Sequence, residues 1–166
     1  MRQICVVVGL ALLVVSMAAA QTQMSGTAQC APANPSYRVD VGDRPGHAFG
    51  LAQGKCTWTT PWEIEGVKNT EGVGTQYQDI MGDTAKIHGT FVDTMANGDK
   101  GFYSFSLTLV TKKDAPPQVM NHKWQLMGGT GKLKGVKAQG TCTGSPAGSD
   151  GSINYECKGE YTAPKS

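Results

Sequence analysis

Residues Gly128 to Gly144 read GGTGKLKGVKAQGTCTG, a run whose glycines at 128, 129, 131, 135, 140 and 144 decide the fold class. Each glycine would cost a helix roughly 1 kcal/mol relative to Ala, whereas turns and bulges that need positive φ accept glycine freely. The run therefore reads as a strand exit, a tight turn and a returning strand.

Working outward from this hairpin, period-two alternation recurs between turn signals, with no helical repeat of comparable length. Tyr103, Phe105, Leu107 and Leu109 alternate with Ser104, Ser106 and Thr108, so this strand has one dry and one wet face. Met120, His122, Trp124 and Leu126 oppose Asn121, Lys123 and Gln125. The final pair sets Val136, Ala138, Gly140 and Cys142 against Ile153, Tyr155, Cys157, Gly159 and Tyr161. Upstream, Ile87, Gly89, Phe91, Asp93 and Met95 form one expected inward set, and Val73, Thr75, Tyr77, Asp79 and Met81 another. Cys56, Trp58, Thr60, Trp62 and Ile64 share a face, with Pro61 on the polar side marking an edge or bulge. Ala96-Asn97-Gly98-Asp99 supplies a hairpin turn, expected as a two-residue type I′ loop. With a first strand around Phe49 to Leu51 and a bulge at Gly54, the count reaches about eight. That is the number at which a sheet closes around side chains or one small ligand. The expected fold is all-β, a single antiparallel barrel, closed or nearly so, the alternative being an open sandwich.

Residues 1–20 carry Arg2, an apolar stretch from Ile4 to Val15, and then small residues ending at Ala20. This is the pattern of a secretory signal peptide, too short in its apolar core to span a bilayer of about 20 helical residues. Export to periplasm or medium follows, with no stable membrane insertion after cleavage. Residues 21–46 are polar, contain proline and lack periodicity, so they read as an extended arm. The barrel domain is expected over 47–163. Cleavage removes Cys5 and leaves Cys30, Cys56, Cys142 and Cys157, an even number that in an exported chain reads as two disulfides. Four cysteines allow three connectivities, and Cys142–Cys157 with Cys30–Cys56 is the favoured one. Cys142 and Cys157 flank the turn-rich GSPAGSDG, so antiparallel pairing brings them opposite each other.

The formal net charge of +2 and the lack of a dense basic stripe exclude a nucleic-acid groove. GGTGKLKG lacks the spacing and following helix of a phosphate-binding loop, and neither G-x-S-x-G nor H-E-x-x-H occurs. Asn34-Pro35-Ser36 has proline where a glycosylation acceptor forbids it. No C-x-x-C or H-x-x-x-H spacing signals zinc. A copper set from His47, His88, His122, Met95 and Met120 fails because His88 alternates onto the polar face, away from His122. No metal or cofactor is expected.

The GGTGK turn with its glycine-containing strand KGVKAQGTCTG is similar to the corresponding hairpin of allene oxide cyclase-like and dirigent-like β-barrels, a calycin-type group. GKCTW and GSINYECKGEY also resemble small exported bacterial proteins of that barrel type. The resemblance covers His47 to Tyr161 and implies a barrel interior that holds a reactive apolar molecule. It carries over no catalytic residue.

Read directly, the interior offers two chemistries. Trp58, Tyr77, Tyr103, Trp124 and Tyr155 could stack on a small apolar or aromatic ligand, which makes the chain a non-catalytic binder or a structural protein. Alternatively, His122 with Asp79 or Asp93 could form an acid–base pair inside an apolar cavity, suited to isomerisation or cyclisation. The first reading is the main expectation. The sequence leaves the oligomeric state open.

Overall fold

A computed structural model describes residues 21–146 and 149–164. The signal-peptide reading of residues 1–20 lies outside these described residues. Ten strands follow in order: β1 (Thr22–Cys30), β2 (Ser36–Asp40), β3 (His47–Thr60), β4 (Glu63–Ile64), β5 (Val67–Met81), β6 (Thr84–Met95), β7 (Lys100–Val110), β8 (Gln118–Gly129), β9 (Lys137–Pro146) and β10 (Ile153–Thr162). The ladder β3-β1-β10-β9-β8-β7-β6-β5 returns to β3, which closes an eight-stranded antiparallel barrel. β2 and β4 are short additions at opposite ends.

Chain order explains the closure. β1 and β2 run consecutively along the same edge of β3: Thr27–Cys30 pairs with Cys56–Thr60, and Ser36–Asp40 pairs with Ala48–Ala52. Only β1 continues across to β10. The barrel therefore begins at Thr22 and not near His47, a correction to the reading of 21–46 as an arm. Polar alternation hid the strand because its inward face carries only Met24, Gly26, Ala28 and Cys30.

Both disulfides join residues that stand directly opposite on neighbouring strands, Cys30–Cys56 across β1 and β3 and Cys142–Cys157 across β9 and β10. The first fastens the short seam where the barrel closes. Two disulfides fit an oxidising, non-cytoplasmic setting.

At the start of β8 a bulge, with Asn121 at φ +54°, turns Val119 inward and leaves Met120, expected inward, 48% exposed. Elsewhere the inward sets of β6 to β10 follow the alternation of the sequence. β5 does not. A bulge between Asn69 and Glu71 shifts its register, so Gly72, Gly74, Gln76, Gln78 and Ile80 face inward, while Thr75, Tyr77, Asp79 and Met81 are exposed. Room decides this: a Cβ at Gly72 would collide with the ring of Phe91, which fills the interior across the ladder. The β6–β7 hairpin is also not type I′. Only Gly98 has positive φ, +86°, and Gly98 N–H donates to Met95 C=O while Met95 N–H donates to Asp99 C=O. This is the three-residue loop with a left-handed glycine, and Asn97 instead accepts Asp99 N–H through its side chain.

The GGTGK segment behaves as read. β8 ends at Gly129, a 3-10 turn occupies Gly131–Leu133, and β9 returns. Leu133 is fully buried. Opposite, Gly140 and Gly159 pair with each other on β9 and β10 and leave the slot in which the Trp124 indole lies.

Candidate functional site

The two ends of the barrel interior differ. At the end bearing the β6–β7 hairpin, β3 stops at Pro61 and the chain folds beneath the barrel, carrying Trp62 and Ile64 into it. Trp62 packs centroid to centroid at 4.3 Å from Trp58, 5.1 Å from Trp124 and 6.1 Å from Tyr103. These rings form a floor. Within it, Asp93 is fully buried and accepts hydrogen bonds from Trp58 Nε1 at 2.9 Å and Asn69 Nδ2 at 3.1 Å. Burial pushes its carboxyl up to about 6, against those two hydrogen bonds, which favour the charge. The Trp62 indole N–H favours that charge slightly without reaching hydrogen-bond geometry.

Above the floor lies a cavity of about 340 Å³. Its wall is mostly apolar: Phe91, Phe105, Leu107 and Leu109 on one side, Tyr155, both disulfides and Ala28 on the other. Gln76 and Gln78 add the amides of β5. The rim is formed by Ala31, Pro32 and Ala33 after β1, with Gly151 and Ile153 at the start of β10. The space exists because inward positions at this level are small, as at Ala28, Gly54 and Gly74.

His122 stands in this wall, with ring centroids 5.2 Å from Tyr155 and 5.8 Å from Phe105. Its Nδ1 has no hydrogen-bond partner, and desolvation lowers its pKa to about 4, so the imidazole is neutral at physiological pH. Burial also pushes the Tyr155 phenol up to about 12. Tyr103 is raised by burial and then by the charge of Asp93, and its hydroxyl, like Trp124 Nε1, lacks a partner.

Of the residues expected at the site, Trp58, Tyr103, Trp124, Tyr155 and His122 all line the cavity. Tyr77 does not. It lies on the outer face, 5.5 Å from Phe49 between ring centroids. Asp79 is also outside, half-exposed, with Oδ1 3.4 Å from His47 Nε2, while His47 Nδ1 meets Asp43 at 2.6 Å. Asp93 faces inward but is held by Trp58 and Asn69, with neither hydrogen bond nor ion pair to His122. The inverted β5 removes Asp79 and Tyr77 from the interior, and the floor claims Asp93. No acid–base pair is assembled around His122 among the described residues.

Sequence reasoning missed Gln76, Gln78 and Asn69, all inward on β5. The signal that could have found them is Gly72 and Gly74, whose alternation selects the inward face when large rings must fit opposite. His47, His88 and His122 lie on different walls, and no cluster of metal-ligating residues occurs among the described residues. Compared with known protein families, curated proteins and solved structures, the chain gives no significant match.

Proposed function

We propose that this chain is an exported barrel that binds a small, flat, apolar or aromatic ligand in its upper cavity without transforming it. The observation that carries this reading is the cavity itself. Interiors are ordinarily packed to crystal-like density, so a lined space of about 340 Å³ open at one rim is unusual for a purely structural core. It falls at the small end of the range in which ligand pockets occur. Phe105, Tyr155 and Trp124 offer ring faces, and neutral His122 offers a nitrogen to one polar group of the ligand. Binding in a barrel interior also agrees with the allene oxide cyclase-like and dirigent-like resemblance of the Gly128–Gly144 hairpin. The separation of His122 from both aspartates speaks against the isomerase or cyclase alternative.

The test uses the oxidised protein recovered from the exported fraction, weighed by native and denaturing mass spectrometry. A mass excess lost on denaturation supports the reading and gives the ligand class. Protein recovered empty is titrated with 1-aminoanthracene, and saturable fluorescence enhancement is expected. Leu107→Trp fills the cavity and should weaken that binding at least about tenfold, and Leu109→Trp does the same nearer the rim should the first variant fold poorly. No retained mass together with no probe binding would overturn the proposal, as would binding unchanged in both variants.

A further inference from the structure

Among the described residues the sheet order ends on two strands, the two-residue β4 and the five-residue β2, and β2 is the longer open edge. Among the described residues β2 pairs only with β3, so its far side presents unpaired backbone groups, the usual template for adding another strand. Which groups are free follows from the ladder. Val41 N–H donates to His47 C=O and Gln53 N–H donates to Pro35 C=O, both in the register that sets Ser36 opposite Ala52 and Asp40 opposite Ala48. Odd-numbered residues of β2 therefore point their backbone groups at β3. The N–H and C=O groups of Ser36, Arg38 and Asp40 point to the open edge.

The side chains alternate in step. Tyr37 and Val39 lie on the outer face beside their partners Leu51 and Phe49, and Leu51 in turn stands opposite Tyr77 of β5. This row is unusually bare: Tyr37 is 63% exposed, Val39 68% and Leu51 53%. The two most exposed belong to the edge strand itself. On the other face of β2, Arg38 and Asp40 lie side by side, Nε to Oδ1 3.4 Å.

We propose that β2 is a self-pairing edge, and that two copies of this chain join antiparallel about a two-fold axis through Val39. The alternation of backbone groups allows pairing only of even residues with even residues. An axis at residue 38 would set Arg38 against Arg38 of the second copy. The axis at Val39 sets Arg38 against Asp40 of the second copy and Asp40 against its Arg38, so each pair exchanges both backbone hydrogen bonds and opposes unlike charges. Tyr37 then flanks Val41 of the other copy, and the two Val39 side chains meet at the axis, where a non-hydrogen-bonded pair brings side chains closest. Such an interface is isologous and closed, so it makes a dimer and not a fibre. It is independent of what the cavity holds.

The test is sedimentation velocity of the oxidised protein from low micromolar to about 100 μM. A reversible dimer is expected. Arg38→Asp and Asp40→Arg each place like charges opposite one another at two symmetric positions and should weaken association about tenfold or more. The double variant Arg38→Asp with Asp40→Arg restores unlike pairs and should dimerise again. Asp40→Pro removes an N–H that faces the open edge while sparing the bonds to β3, and should be monomeric. Since β2 lies outside the barrel, near-ultraviolet circular dichroism from the tryptophan floor should be unchanged in all four. Monomers across the whole concentration range would overturn the proposal. So would dimers indifferent to the single swaps, or a double variant that stays monomeric.

Discussion

The floor and the upper chamber are built from the same eight strands, yet one is solid and the other hollow. At floor level the inward residues are Trp58, Trp124 and Tyr103, with Trp62 and Ile64 inserted from below. One level higher the inward residues include Ala28, Gly54 and Gly74, and no large side chain among the described residues is inserted from the rim. Barrel diameter is set by strand number, so it cannot shrink where side chains are small. Side-chain volume at each level therefore decides whether the barrel is core or container. The folded-under segment after Pro61 is what makes this floor a floor.

Removing the hub of the floor should produce the largest effect. Trp62 touches three other rings and is 4% exposed. Trp62→Ala is expected to cost about 3–5 kcal/mol, the range for deleting a buried large aromatic, and to extend the upper cavity downward. Trp62→Phe should cost clearly less. Denaturant unfolding with the disulfides intact measures both. A loss for the alanine variant under about 1 kcal/mol would mean that the barrel does not depend on its floor and that the contrast between the ends is only one of shape.

The two ends also carry opposed titrations. Asp93 in the floor has its pKa raised to about 6, so between pH 4 and 6 it is neutral when folded and ionised when unfolded, and stability falls as pH rises. His122 in the chamber has its pKa lowered to about 4, so between pH 4 and 6.5 it is neutral when folded and protonated when unfolded, and stability rises with pH. Each slope approaches about 1.4 kcal/mol per pH unit, and they cancel. Wild-type stability should thus be nearly flat from pH 4 to 6. Asp93→Asn should unmask a rising profile and His122→Phe a falling one. At pH 7 Asp93→Asn should also be more stable than wild type by about 1–3 kcal/mol, because no buried charge remains. Asn69 Oδ1, which lacks a partner, can then accept from the new amide after the Asn69 side chain turns over. The lowered carboxyls of Asp43, Asp99 and Asp150 add a rising contribution only below about pH 5, at the acid margin of this window. Parallel profiles for wild type and both variants would show that the two ends are not electrostatically distinct.

Much of this contrast was readable in the chain, and the exceptions share one cause. Strands whose apolar residues face inward, such as Tyr103–Leu109 and the His122–Leu126 part of β8, announce their faces by alternation, whereas Met120 is turned outward by the bulge at Asn121. Cys142 and Cys157 announce their pairing because they flank a turn between antiparallel strands, whereas Cys30 opposite Cys56 required β1, which the sequence read as an arm. β5 misleads because its outer face is the apolar one: Tyr77 and Met81 join Phe49 and Leu51 on the surface, while glycines and glutamines face inward. Alternation reports which residues share a face but not which face is inside. That choice depends on how much room the neighbouring strand leaves, here set by Phe91. β1 was hidden for a related reason, since Met24 is the only large apolar residue on its inward face and Gly26 and Ala28 do not look like a core. The cavity residues on β6 to β10 were therefore legible, whereas Tyr77, Asp79 and the amides of Gln76 and Gln78 required the closed barrel.

The smallest expected effect tests whether the orphaned polar atoms belong to the floor or to the chamber above it. The Tyr103 hydroxyl is buried without a partner while its ring packs 5.8 Å from that of Trp124. Leaving a buried donor unsatisfied costs about 1–3 kcal/mol, so deleting it with the ring kept should not destabilise the empty protein. Tyr103→Phe is expected to raise stability by about 1 kcal/mol or leave it unchanged. If the hydroxyl serves only the floor, 1-aminoanthracene binding is the same in the variant and the chamber is separate from the floor beneath it. Were stability instead to fall by more than about 1 kcal/mol, the hydroxyl would have a partner in solution, and a water reaching Tyr103 through the cavity would join the two regions. Binding that weakened without a change in stability would place the ligand against the floor itself, making Tyr103 part of the container.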